Sequence, residues 1–160
     1  MSDAAKLKKD LWKKMESSPF VMIGLTGGDH SEPLTVQLDK DQVDTLFFFA
    51  GRDNRLAGGG PAMAQFVSKG HDFFACLSGN VGVDNDRAMI DKLWSKQAES
   101  WFPGGKDDPN LALIRFDIND AELWEADMSV SGKIKMLFGG KVNPSEEGSH
   151  ARVSSTAVSE

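Results

Sequence analysis

The chain has 160 residues, 40% hydrophobic and 26% charged, with a formal net charge of −6. That length supports one domain with a core and leaves little room for a second. The acidic balance argues against a general nucleic-acid or anionic-membrane surface, which needs clustered positive charge, and no apolar run approaches membrane-spanning length.

In chain order, residues 1–15 place Leu7, Leu11, Trp12 and Met15 on one helical face and lysines on the other. This predicts an amphipathic helix and not a secretory signal, ended by Ser17, Ser18 and Pro19. An apolar strand over 20–26 meets Gly27, Gly28 and Asp29, which suit a hairpin turn. The returning strand, 33–38, alternates Leu34, Val36 and Leu38 with Thr35 and Gln37. After a turn at Asp39, Lys40 and Asp41, the strand over 45–50 holds three consecutive phenylalanines, a continuity expected of a strand covered on both faces. Asp39, Asp41 and Asp44 lack the glycine and terminal glutamate of a calcium loop, so no metal is expected there.

Gly51, Arg52, Asp53, Asn54 and Arg55 then form a polar, basic turn before Gly58, Gly59 and Gly60. The triple glycine lacks a surrounding dinucleotide or Walker pattern and reads first as a flexible connection. Strands over 62–67 and 73–83 complete a run whose short turns point to an antiparallel meander or barrel. Asp84 or Asp86 can cap a helix with Met89, Ile90, Leu93 and Trp94 on one face. A second short helix runs toward Trp101, broken by Pro103, Gly104 and Gly105. Strands follow over 111–118, continued after a kink by 121–124, and over 133–138. The expected domain is 1–142, with a frayed tail over 143–160.

On the residues alone, Thr35 and Gln37 are the solvent face of a half-buried strand, Arg52 and Arg55 solvated turn residues, and Trp94 and Trp101 core or interface anchors. Cys76, the single cysteine, reads as inert packing and fits a reducing cytoplasm. His30, His71 and His150 have no second ligand at metal spacing, and no nucleophile–base arrangement is identifiable, so no catalytic residue is named.

The run Ser78-Gly79, Asp86-Arg87 and Leu93-Trp94, followed by Trp101-Phe102-Pro103-Gly104-Gly105-Lys106-Asp107-Asp108-Pro109, Leu111 to Phe116 and Ala121-Glu122-Leu123-Trp124, resembles the general stress protein 26-type branch of the pyridoxamine 5′-phosphate oxidase-like superfamily. The resemblance spans roughly residues 5–138. It implies a mostly β fold, the FMN-binding split β-barrel, working as a cytoplasmic homodimer with a flavin at its interface. FMN is the implied cofactor, with FAD or a deazaflavin as variants, and a small molecule as electron donor or acceptor. Mapped here, Thr35, Val36 and Gln37 would face the ring, with Phe48, Phe49 and Ala50 beside it. The phosphate would lie near Arg52, Asn54 and Arg55, and Trp94, Trp101 and Phe102 would approach from the partner subunit. Many relatives carry Arg-Pro-Met where this chain has Glu32-Pro33-Leu34, and a carboxylate there repels phosphate unless it points away or is paired. The implied activity is a flavin-dependent oxidoreductase. A non-enzymatic flavin carrier or stress sensor, and a flavin-less dimeric barrel, are the alternatives.

Overall fold

The computed structural model describes residues 3–126 and 148–154. Its elements are α1 (Asp3–Ser17), β1 (Phe20–Leu25), β2 (Glu32–Thr35), β3 (Thr45–Gly51), β4 (Gly60–Val67), β5 (Phe73–Val83), α2 (Arg87–Leu93), α3 (Lys96–Trp101), β6 (Leu111–Ala126) and β7 (Gly148–Ser154). The strands are antiparallel in the order β2-β1-β4-β5-β6-β3, with β7 added on β6. The bridge between Gln37 and Phe47 brings the two end strands together, so the sheet curls into a nearly closed barrel. Among the described residues no helix is long and apolar enough to cross a membrane.

Alternation decides what fills the barrel. Val21 and Ile23, Ala62, Ala64 and Phe66, Ala75 and Leu77, Ile114 and Phe116 all point inward, beside Leu46 and Phe48 from β3. Leu7, Leu11 and Met15 of α1 join that core, as the amphipathic stripe predicts. A helix of this length is marginal alone, and burying each such side chain contributes about 1.5–3 kcal/mol, so packing holds α1 in place. Lys14 Nζ, 2.8 Å from Asp72 Oδ2, adds a pin at its C-terminal end.

The three phenylalanines of β3 divide between two cores. Phe48 faces the barrel interior, while Phe47 and Phe49 face outward beneath the helices, with Ile90, Ala98, Phe102, Leu111 and Leu113. The expectation that β3 is covered on both faces therefore holds.

Several boundaries differ from the sequence reading, each for a tertiary reason. The strand expected over 33–38 stops at Thr35, because past that residue the chain leaves β1 and turns a corner toward β3. The Val36 N–H donates to the Pro19 carbonyl at 2.7 Å, and Gln37 exchanges two hydrogen bonds with Phe47. The kink expected in the long strand is a β-bulge in a continuous β6: Ser78 pairs with Asp120 but Gly79 with Ile118, leaving Asn119 as the extra residue. Gly59 and Gly60 have φ of 75° and 121°, so the triple glycine is a turn entering β4. Cys76 is half-buried on the outer face of β5 and not in the core. Within the stretch expected to be a tail, Gly148–Ser154 forms β7; its alternation of Ala151 and Val153 with polar residues is too short to stand out. The strand expected over 133–138 lies outside the described residues.

Candidate functional site

The barrel ladder stops at one place. Between β2 and β3, among the described residues, the edges meet only at the bridge of Gln37 and Phe47. On one side of that bridge Glu32–Thr35 and Phe48–Gly51 run opposite each other along a split. Strand edges there offer main-chain donors and acceptors, which need partners when they are covered.

Side-chain parity sorts the residues along the split. Thr35 pairs with the exposed Phe20, and Gln37 with the outward Phe47, so both lie on the outer face. Phe49 lies on that face too, and its ring meets Trp94 edge-to-face at 5.4 Å and 78°. Thr35, Gln37 and Phe49 thus share the outer face beside the split, with Trp94 packed on Phe49. Val36 and Phe48 turn the other way, into the main core, and Ala50 goes with them. Trp101, at the end of α3, is exposed, and Phe102 is buried beneath the helices.

At the end of the split the basic turn folds over the barrel. Leu56, fully buried, plugs the core, and its N–H donates to Asn54 Oδ1 at 2.8 Å. This anchor directs Asn54 Nδ2 to Glu32 Oε1 at 2.8 Å. Arg55 Nη1 donates to the His30 carbonyl at 2.6 Å, with Nε 3.8 Å from the same Glu32 oxygen. Asn54, Arg55 and Glu32 are thereby one cluster, although 22 residues separate Glu32 from Asn54. The exposed Arg52 guanidinium has no protein partner among the described residues; its main-chain N–H holds the Asn110 carbonyl at 2.8 Å.

The helical side of the split is fixed by a carboxylate that the sequence reading placed in a turn and set aside as a metal ligand. Asp39, buried, accepts from Lys92 Nζ at 2.7 Å, from Gln42 Nε2 at 3.0 Å and from the Asp41 N–H at 3.1 Å. Lys92 also reaches Asp41 Oδ2 at 2.8 Å, tying α2 to the turn after β2. Asp44, the third of those carboxylates, pairs with Lys8 of α1. The Lys92 ammonium and the Gln42 amide hold the Asp39 carboxyl down to about 2. Its folded value lies below its unfolded one, so the stabilisation is present at neutral pH and drains away as pH falls from about 4 to about 2. After discounting for the exposed Lys92, this contributes on the order of 1–2 kcal/mol. Asp39→Asn is expected to remove most of that acid-sensitive component, seen as a flatter dependence of melting temperature on pH between those limits.

Two further openings flank Trp12. One, of about 480 Å³, lies between α1 and the β2–β3 turn and is lined by Lys8, Lys9, Trp12, Lys13, Lys40 and Val43. The other, of about 320 Å³, adds Leu38, Asp39, Lys92 and Leu93. Lys8, Lys9 and Lys13 belong to α1, Lys40 to the turn after β2, and Lys92 to α2, where it is held by Asp39 and Asp41.

The sequence reading missed one feature of the surface. The outer face of β1 and β4 exposes Phe20 (55%), Met22 (44%), Met63 (39%) and Val67 (50%). The unbroken apolar run of β1 was the available signal, since continuity along a strand implies cover on both faces.

Comparison with known proteins places this geometry. A family model described as pyridoxamine 5′-phosphate oxidase like matches residues 6–144. A general stress family protein from Xanthomonas campestris is similar in structure, with a TM-score of 0.75 and 39% identity, over 81% of this chain and 93% of that one. A general stress FMN/FAD binding protein from Xanthomonas citri has a TM-score of 0.73 and 40% identity, over 78% of this chain and 92% of that one. General stress protein 26 of Bacillus subtilis is 36% identical over 55 residues, which are 34% of this chain and 39% of that protein.

Proposed function

The chain belongs to the pyridoxamine 5′-phosphate oxidase-like family, and from that premise we propose that it binds a flavin at the split, between two copies of itself. The carrying observation is the gathering of Thr35, Gln37, Phe49 and Trp94 on one face beside the diverging edges of β2 and β3. A flavin ring is a flat amphipathic plate that needs aromatic or apolar walls and a few hydrogen-bond partners along one edge. Those residues and the strand edges supply both. The Xanthomonas citri protein, described as FMN/FAD binding, supports the same ligand class.

Within this reading the polar hydroxyl and amide of Thr35 and Gln37 orient the ring's edge, and the Phe49–Trp94 pair keeps its wall dry. Arg52 offers planar donors at the end of the split, and the exposed Trp101 is presented toward the second subunit. Met22, Met63 and their neighbours form the face on which that subunit packs. A bound flavin would supply hydride or single-electron transfer, which makes a flavin-dependent oxidoreductase of the general stress type the activity proposed. The small-molecule donor or acceptor would enter at the same split, and the reducing cytoplasm remains the proposed setting.

A carrier or sensor without turnover is the second reading. It is favoured by where the shifted carboxylates lie: Asp39, Asp72 and Asp91 all serve ion pairs holding α1 and α2. None of them lines the open face of the split as a proton donor.

Titrating cofactor-stripped protein with FMN, FAD and a deazaflavin, followed by flavin fluorescence, tests the proposal. Saturable quenching at micromolar or lower concentration by at least one of them is expected. Failure of all of them to bind overturns it in favour of a flavin-less dimeric barrel.

A further inference from the structure

The donors proposed for a flavin's phosphate already hold an anion that belongs to the protein. Asn54 Nδ2 donates to Glu32 Oε1 at 2.8 Å, and Arg55 Nε stands 3.8 Å from that oxygen. Arg55 Nη1 is committed to the His30 carbonyl at 2.6 Å. Of the three donor side chains in the turn, Arg52 alone has no protein partner among the described residues.

From this we infer that Glu32 is a built-in occupant of the phosphate position, so that the site takes the flavin through an uncharged, hydroxylated side chain and discriminates against a phosphate monoester. The inference rests on the flavin reading above and narrows it to the class of ligand. A carboxylate is acceptor-only, so it can receive a ribityl hydroxyl where it would repel a second anion. A phosphate monoester carries about −1.5 to −2 charges at neutral pH. Entering beside Glu32, it would have to draw Arg55 away from one anion to satisfy another, and the charge gained on one side is lost on the other. A neutral hydroxyl leaves the Glu32–Asn54–Arg55 cluster intact. The cluster is locally determined: Leu56 in the core fixes Asn54, and β1 pairing fixes Glu32 opposite Ile23.

The test compares riboflavin with FMN on cofactor-stripped wild type and on Glu32→Gln, by fluorescence titration. Glutamine keeps an oxygen for Asn54 and removes the charge, with an amide donor in place of the second oxygen. The ratio of the two dissociation constants, taken on one sample, is unaffected by any fraction that fails to fold. Wild type is expected to bind riboflavin at least as tightly as FMN. In Glu32→Gln the ratio should shift toward FMN by about tenfold, or 1.4 kcal/mol, with riboflavin affinity changed less than about threefold. A wild-type preference for FMN, or an unmoved ratio in the variant, overturns the role of Glu32 and leaves the flavin site standing. Absence of binding by riboflavin and FMN in both proteins overturns the flavin reading and this inference with it.

Discussion

Gly79→Ala is expected to cost the fold about 3 kcal/mol or more, at the upper end of overpacking losses. A Cβ built at Gly79 would lie 2.0 Å from the Asp117 carbonyl oxygen and 2.8 Å from its carbon, with Phe116 Cε1 at 3.0 Å. Two of these are main-chain atoms, and the strand that bears them cannot retreat. Asp117 pairs with Thr45 of β3 on one side, where Thr45 Oγ1 also donates to Asp117 Oδ1 at 3.0 Å, and with Asn80 of β5 on the other. The close approach arises from the bulge at Asn119, which draws β6 over Gly79. Against a total stability of about 5–15 kcal/mol, such a loss is large. Thermal unfolding followed by circular dichroism should show a fall of roughly 10 °C. Gly82→Ala is the control: it lies on the same strand, and a Cβ there meets nothing within 4 Å. Equal melting temperatures for the two variants would contradict the packing described around the bulge.

Two other strands show what a sequence can disclose. β1 and β3 are both unbroken apolar runs, and each pattern states that both faces of a strand need cover. In β3 the cover is internal, because α2 and α3 close over Phe47 and Phe49. In β1 the inner residues Val21 and Ile23 are buried while Phe20 and Met22 stay exposed. Apolar continuity thus registers the demand for cover without naming what supplies it. The site was legible to a similar depth. Alternation correctly put Thr35 and Gln37 on the polar face opposite Val36, but the sequence reading also grouped Val36 and Phe48 with the ring-facing residues, and their side chains turn into the core. The polar groups at Glu32, Asn54 and Arg55 were visible as types. Their mutual pairing was not, since it depends on the basic turn folding back onto β2, with Leu56 as its anchor. Likewise Asp39 reads as a turn carboxylate until α2 brings Lys92 onto it from 53 residues away.

The exposed face of β1 and β4 leads to the other large expected effect, Met22→Asp combined with Met63→Asp. Met22 pairs with Gln65 and Met63 with Gly24, so the two methionines are diagonal neighbours on one face, flanked by Phe20 and Val67. Both side chains are well exposed in the single chain, and a polar replacement there should change the stability of an isolated subunit by only about 0.5 kcal/mol each. In a two-fold interface each substitution is met twice, and a desolvated carboxylate facing apolar side chains is strongly unfavourable. Wild type is therefore expected to sediment as a dimer at micromolar concentration, and the double variant as a single 17.4 kDa chain, with the dimer weakened by more than about a hundredfold, or 2.8 kcal/mol. Flavin affinity measured on the same samples separates the possibilities. If binding falls with dimerisation, the site is shared and the partner subunit completes it. If the monomeric variant still binds, the split of one barrel suffices and Trp101 has no role across the interface. A wild type that sediments as a monomer would remove the packing role proposed for this face, because the apolar side chains would then be exposed in the working molecule as well.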